Sequence, residues 1–404
     1  MRVADNFSVS YRNVLPLLQV GILFLTQILT LIVLKKFRIR PGIAAAIILY
    51  LGISPAIINS VFSLYSEIAA YPFILLMVIW GARAWKNIWN DERTLSGITL
   101  DAAVMGIVSL LTVFAKAVFE AIVPVLLLPY VVVTVLAFRN RQKTLQRRCL
   151  IFLLISTFSF YLPLYIYKGL NREYNGHFSV TDRGASALYG NAMRRMEKLT
   201  PAQWGAAVAF VPGEDVCRTF FPPERCAFWS YQPSDAYSRA KEAEFIKNNT
   251  PPEEKDKIFL RLCVEKILRN PFQYFILSVL EGTKMLFWES TTIGFVVYPQ
   301  WLTTLYDGWL LKTGLKFFVF LMTLAALIFS SGRAGFSIVS RITPPTEQES
   351  LRLMILLLIG SYIAAHSFFL ILTRYSLPLG PLYLILVAVL LENQISRRRN
   401  RTEE

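Results

Sequence analysis

This chain is short of charge, of acid and of histidine. Charged residues fill 17% of its 404 positions, the 27 Asp and Glu are outnumbered by 42 Lys and Arg, and imidazole occurs only at His177 and His366. Two histidines so far apart, with no CxxC or HExxH spacing, argue against a zinc site or a His-rich metal centre. Walker A, GxSxG and strand-following GxGxxG sequences are missing as well, which excludes a soluble nucleotide-fuelled enzyme. With four cysteines, any disulfide framework is small.

What is present is apolar surface. Hydrophobic residues make up 54% and mean hydropathy is +0.46, beyond what a water-soluble domain of this length carries. Nearly charge-free runs of about twenty residues, the length needed to cross the hydrocarbon core, predict nine spans. They lie near 13–34, 42–62, 67–85, 95–115, 121–138, 149–168, 313–331, 353–372 and 377–391. The fold class expected is an all-α polytopic membrane protein with one large extracytoplasmic loop. Its parts are a six-span bundle over 1–168, a loop over 169–312, a three-span bundle over 313–391 and a basic tail over 392–404.

Basic clusters fix the expected orientation. Lys35 to Arg40, Arg83 to Arg93, Arg139 to Arg148, Arg333 to Arg352 and Arg397 to Arg401 occupy alternate loops, so the positive-inside rule makes them cytoplasmic. The net charge of +15 then needs no nucleic acid, because topological bias and anionic membrane lipid account for it. The N-terminal tail, the turns 63–66 and 116–120, the segment 169–312 and the link 373–376 are left on the outer side.

Within 169–271 charges of both signs and several prolines mark a subdomain-sized loop. Cys217 and Cys226 flank a Pro-Pro turn there, as a disulfide in an oxidising compartment or as two buried thiols. Cys149, at a cytoplasmic span end, and Cys263, in an outer helix, cannot pair with each other. Residues 272–290 are apolar but broken by Glu281, Lys284 and Glu289. Phe272, Phe275, Ile276, Val279, Leu280, Leu286 and Phe287 recur at helical spacing, which suits an amphipathic helix in the outer interface. Trp288, Tyr298, Trp301, Tyr306 and Trp309 read as an aromatic belt at the same level.

Ionisable residues at the outer span ends are the candidates for chemistry, since such groups are expensive near lipid. Glu67 can serve as base, hydroxyl acceptor or metal ligand, or simply as a helix N-terminal carboxylate with Ser63 or Ser66 as cap. Lys116 and Glu120 share a helical face, where Lys116 can neutralise a phosphate or the two can form an i,i+4 pair. His366, Arg374 and Tyr375 are grouped in AHSFFLILTRYSLPLGP; Arg374 suits bidentate phosphate binding or snorkelling at the interface.

The runs SPAIINSVFSLYSEIAAYPFILLMVIWGARAW, MGIVSLLTVFAKAVFEAIVPVLLLP and FYLPLYIYKGLNREYNGHFSVTDRGASALYGN resemble the bacterial polyprenyl-phosphate-dependent glycosyltransferases. HSFFLILTRYSLPLGPLYL is similar to that family's late RY and proline-rich span element. The narrower likeness is to the dolichyl-phosphate-mannose protein mannosyltransferase-like and RgtA-type branch of the GT-C superfamily; it covers nearly the whole chain through degenerate motifs. It implies inverting transfer of a sugar from a polyprenyl-phosphate donor to a glycolipid or protein acceptor at the outer face. Lys116, Arg374 and Tyr375 would then hold the donor phosphate and Glu67 would contact acceptor or sugar hydroxyls. Arg183, Tyr189, Glu120 and His366 would line the substrate cavity. The resemblance fixes no cofactor, and a divalent cation is compatible with such donors. The location implied is a bacterial inner membrane, with the N-terminus and 169–312 periplasmic and the C-terminus cytoplasmic.

One departure from that pattern stands out. Family members open with an outward span and a first outer loop bearing the principal catalytic acid, whereas only Asp5 precedes the first span here. The expectation is that this chain alone is inactive. Two other classes fit the composition: an O-antigen polymerase or ligase-like enzyme with essential outer arginines, and a polytopic transporter or flippase with broken helices at mid-membrane.

Overall fold

In the computed structural model residues 11–61, 67–181, 184–288, 299–334, 344–369 and 373–403 are described, and all their regular structure is helical. Eight of those helices are long and apolar enough to cross a membrane, and nine spans result if one bent pair is counted as a span. The chain is therefore an integral membrane protein of the polytopic helical class.

The first helix, α1, covers Tyr11–Lys36. Next come α2 (Pro41–Ile53) and α3 (Pro55–Val61), which meet at a 50° bend where a single span over 42–62 is expected. Pro55 explains the break: it has no N–H and its ring pushes Ser54 out of the helical region, to ψ 122°. Ser54 Oγ then accepts a hydrogen bond from the Ile57 N–H at 3.4 Å and starts the second piece.

Helices α4 (Glu67–Ile88), α5 (Leu95–Ala115), α6 (Phe119–Arg139) and α7 (Lys143–Asn175) follow as consecutive crossings. Gly106 allows α5 and α7 to touch, because a Cβ there would stand 2.7 Å from the Ser156 carbonyl oxygen. α7 has 33 residues, so at about 1.5 Å each it outruns a hydrocarbon core of about 30 Å. It passes without interruption through the boundary expected at 168 and ends at Gly176, whose φ of 77° suits a helix-terminating glycine.

Between 176 and 307 the helices are short. They are α8 (Gly184–Arg195), α9 (Pro201–Ala209), α10 (Glu214–Phe220), α11 (Pro223–Ala227), α12 (Tyr231–Lys247), α13 (Pro252–Arg269), α14 (Pro271–Gly282) and α15 (Gln300–Asp307). Cys217 and Cys226 are joined by a disulfide, and Ala206, Trp229 and Leu277 close a small core around it. Cys149 and Cys263 are buried thiols. Lys316 fastens this unit to α16 (Trp309–Ala334) by an ion pair with Asp215 at 2.6 Å.

The amphipathic stretch expected over 272–290 is shorter than that range. α14 turns into a single 3-10 turn, Thr283–Leu286, and the backbone then enters the main core. Phe272, Phe275, Ile276 and Val279 are exposed as one face, but Phe287 stacks on Phe320 and is buried. Trp288 does not join an interfacial belt; it is 1% exposed with its ring edge-on to Tyr50. Trp301 is exposed, Tyr298 lies outside the described residues, and so do the side chains of Tyr306 and Trp309.

The last crossings are α17 (Glu347–Phe368), a 3-10 segment over Thr373–Leu379, and α18 (Gly380–Glu403), which continues through the boundary expected at 391. A capping box between Thr346 and Glu349 starts α17. Tyr383, Leu382 and Ile385 of α18 are fully enclosed by the other helices, which makes α18 the most deeply buried crossing.

Candidate functional site

Glu67, Lys116, His366 and Tyr375 come from four separate stretches and meet at one end of the bundle. Glu67 is the first residue of α4, where the helix dipole favours a carboxylate, and is 4% exposed. The expected caps, Ser63 and Ser66, lie outside the described residues. Lys116 closes α5 in extended conformation, with φ −154° and ψ 108°, and its N–H donates to the Thr112 carbonyl. A cation at a helix C-terminus matches the dipole in turn.

The Lys116 ammonium donates to Glu67 Oε1 at 3.1 Å and sits 4.7 Å from the centre of the Tyr375 ring. That ring lies 5.0 Å from His366, and His366 lies 4.5 Å from Tyr362. Tyr362 donates its hydroxyl to the Tyr375 carbonyl at 2.9 Å and rests against Phe119, so the start of α6 and the last turns of α17 support the cluster. Arg374 is the neighbour of Tyr375 in the 3-10 segment, and its side chain lies outside the described residues.

The i,i+4 pair, one of the two readings of Lys116 and Glu120, does not form. The extended backbone at Lys116 interrupts the helix, so Glu120 starts α6 on a new axis and pairs with Lys168 of α7. Tyr189 is also elsewhere: it packs on Phe259 at 5.1 Å within the 176–307 unit, and Arg183 lies outside the described residues. Asp101 is buried in α5 toward the opposite end, where Arg83 pairs with it at 3.2 Å and the Asn87 amide donates a hydrogen bond to it at 2.6 Å.

A groove of about 590 Å³ opens between α6 and α17 at the same end of the bundle, on the face of α17 turned away from His366. Gly360, Ser361, Ala364 and Ala365 hollow one face of α17, while Ala121 and Val125 do the same on α6. Their spacing of four along each helix puts the small residues in line. Phe368 and Phe369 close the groove at the end nearest the 176–307 unit.

A second charged cluster abuts that end. Glu281 of α14 pairs with Arg194 and Arg195 of α8, and Lys284 Nζ stands 3.5 Å from the same carboxylate. All four side chains are nearly inaccessible, so among the described residues three cations share one buried acid. Burial alone would raise the Glu281 pKa, but Arg194, Arg195 and Lys284 hold it well below the usual carboxylate range. Burial pushes Lys284 down to about 8, against the attraction of Glu281. Arg195 also donates to Ser278 Oγ and the Ser367 carbonyl, both at 2.7 Å, and Asn191 and Tyr274 donate to the Phe369 and Phe368 carbonyls. These bonds clasp the end of α17, whose last carbonyls have no helical partner.

Nothing in the sequence pattern singled out Arg194 and Arg195. Glu281 and Lys284 read there as interruptions of an apolar run, and only their spacing of three hinted that one helical face carried both. Among the described residues no three His, Cys, Asp or Glu side chains are placed to share a metal ion. No protein family, no curated protein and no solved structure matches the chain.

Proposed function

We propose that the protein is a membrane glycosyltransferase that moves a sugar from a polyprenyl-phosphate donor to a glycolipid or protein acceptor on the outer face, with inversion at the sugar carbon. The observation that carries this reading is the meeting of Glu67, Lys116, His366 and Tyr375 at the end of the bundle where a lateral apolar groove opens between α6 and α17. An amphiphile with an anionic head and a long hydrocarbon tail matches that pairing of cation and groove.

In this mechanism the acceptor oxygen attacks the sugar carbon as the bond to the phosphate oxygen breaks. Glu67 takes the acceptor proton, and Lys116 and Arg374 hold the departing lipid phosphate. The buried Glu67–Lys116 pair fits a resting state: donor phosphate would draw the ammonium away and free the carboxylate to act as base. His366 and Tyr375 would form the wall against which the sugar rests.

The test is photocrosslinking of a polyprenyl-phosphate probe to the chain in lipid nanodiscs. Lys116→Ala should reduce labelling by about tenfold or more, the loss expected when a charge-assisted contact of about 1.5–3 kcal/mol is removed. Glu67→Gln should leave labelling in place and abolish transfer in the catalytically complete system. Arg374→Ala should weaken labelling more than Arg374→Lys, because lysine keeps the charge but not the fork. Labelling by none of the forms, or equally by all, would remove the donor from this site.

A second reading draws on the 50° bend between α2 and α3, with Asn59 and Ser60 buried beside it. Broken helices with polar groups occur in transporters. Movement of the labelled lipid between leaflets without covalent transfer would favour a flippase.

A further inference from the structure

Two successive helices in the 176–307 unit present apolar rows that no described residue covers. On α14, Tyr274, Leu277, Ser278 and Glu281 face inward, and the opposite side presents Phe272, Phe275, Ile276 and Val279. α13 buries Phe259 and Cys263 against α8, and the next helical row, Leu260, Val264 and Leu268, is exposed. Beyond it runs a charged row, in which Arg261 and Glu265 approach to 3.9 Å. An apolar row with protein on one flank and charges on the other is the pattern of a helix lying in a membrane surface.

The height of these rows is set by the bundle. Gly282 packs against Ile363 and Ser367 of α17, and Tyr274 donates its hydroxyl to the Phe368 carbonyl. α17 has 22 residues, about 33 Å of helix, so its last turn falls at the edge of a hydrocarbon core of about 30 Å. α14 thus lies where acyl chains give way to headgroups. Asn270 alone separates it from α13, and Cys263 and Tyr274 share one small core on Ala192, which keeps the two helices side by side against α8.

We infer that α13 and α14 together form a membrane seat, with both apolar rows sunk into the lipid monolayer at the end of the bundle that holds Glu67. The occupant is the bilayer that the spans themselves cross, because the rows continue the lipid-facing surface of the bundle. Leu268 and Phe272, 69% and 71% exposed to solvent without lipid, would be its deepest contacts. The seat would fix the position of Arg194, Arg195 and Glu281 over the mouth of the groove. It does not depend on the reaction proposed above.

Spin labels at Val264→Cys, Leu268→Cys and Phe275→Cys, each in the full chain in phosphatidylcholine vesicles, test this. Cys149 and Cys263 are buried and burial pushes the Cys263 thiol up to about 12, so the unsubstituted chain is the blank. The ratio of collisions with oxygen to collisions with a water-soluble nickel chelate should exceed that at the exposed control Glu242→Cys by about tenfold at all three positions. Nickel access at 264 and 268 equal to that at 242 would overturn the seat. Shielding from both reagents would do so too, because a protein partner or a second copy would then cover the rows. All four substituted positions are exposed, and gel filtration of each labelled protein establishes that it folds.

Discussion

The two ends of the bundle solve the problem of charge near lipid in opposite ways. At the end away from Glu67 four cations pair with four different acids on neighbouring elements: Lys36 with Glu347, Arg40 with Glu392, Arg83 with Asp101, Arg148 with Asp91. Each of those pairs keeps one partner in contact with solvent. At the Glu67 end the Glu67–Lys116 pair and the Glu281 network are buried, and in the network three cations share a single carboxylate. Solvent dilutes a charge interaction at the first end, whereas at the second each charge has paid for desolvation and depends on its neighbours. The first arrangement staples helices; the second concentrates charge inside the protein, where each group is held by the others.

Removing the shared acid should break that contrast most severely. Glu281→Gln leaves Arg194, Arg195 and Lys284 buried with no counter-charge, and breaking a buried network of this kind costs about 3–5 kcal/mol. The expected result is release of α8 from α14, read as maleimide reaction of Cys263, which is buried in the intact protein. A thiol that stays protected for as long as in the parent would mean that packing alone holds the unit.

Lys284 should expose the same tension through pH. Its pKa falls from 10.5 to about 8 in the folded state, chiefly by burial. Between those values the unfolded chain binds the extra proton, so the contribution of this group to stability rises with pH across the window from about 8 to 10.5. The full rise is about 3 kcal/mol at most, from 1.36 kcal/mol per pKa unit. Thermal unfolding of the parent and of Lys284→Met at pH 7.5 and pH 10, in about 0.15 M salt, should show the parent gaining on the variant at the higher pH. A constant difference would place Lys284 in contact with water.

Most of the architecture was legible in the sequence because lipid imposes a simple rule: about twenty apolar residues in a row. Eight of the expected spans correspond to single long helices. The ninth, over 42–62, bends because hydropathy averages across Pro55 and does not register what its ring does to Ser54. At the site, Glu67, Lys116, His366 and Tyr375 stood out as polar groups at span ends, and the structure brings these four together. Lys116 with Glu120 was misjudged, since spacing of four means adjacency only while the helix continues, and it stops at Lys116. Arg194 and Arg195 were invisible. In a polar segment two arginines look like solvated surface, and only the tertiary fold carries them under Glu281.

The smallest effect belongs to the opposite end, and it is the control for the comparison. Lys36 and Glu347 join the end of α1 to the start of α17, and their side chains are 36% and 42% exposed. Water still reaches both groups, so side-chain entropy and screening consume most of the Coulomb gain, and Lys36→Ala should cost about 1 kcal/mol or less. The loss should shrink further in high salt, because exposed charges are screened over about 3 Å at 1 M. Thermal unfolding of parent and Lys36→Ala at low and high salt measures it, alongside Glu281→Gln under the same conditions. If the two substitutions cost the same, burial would not be what separates the two ends; a deficit that salt erases for Lys36→Ala but leaves for Glu281→Gln is the outcome that the geometry requires.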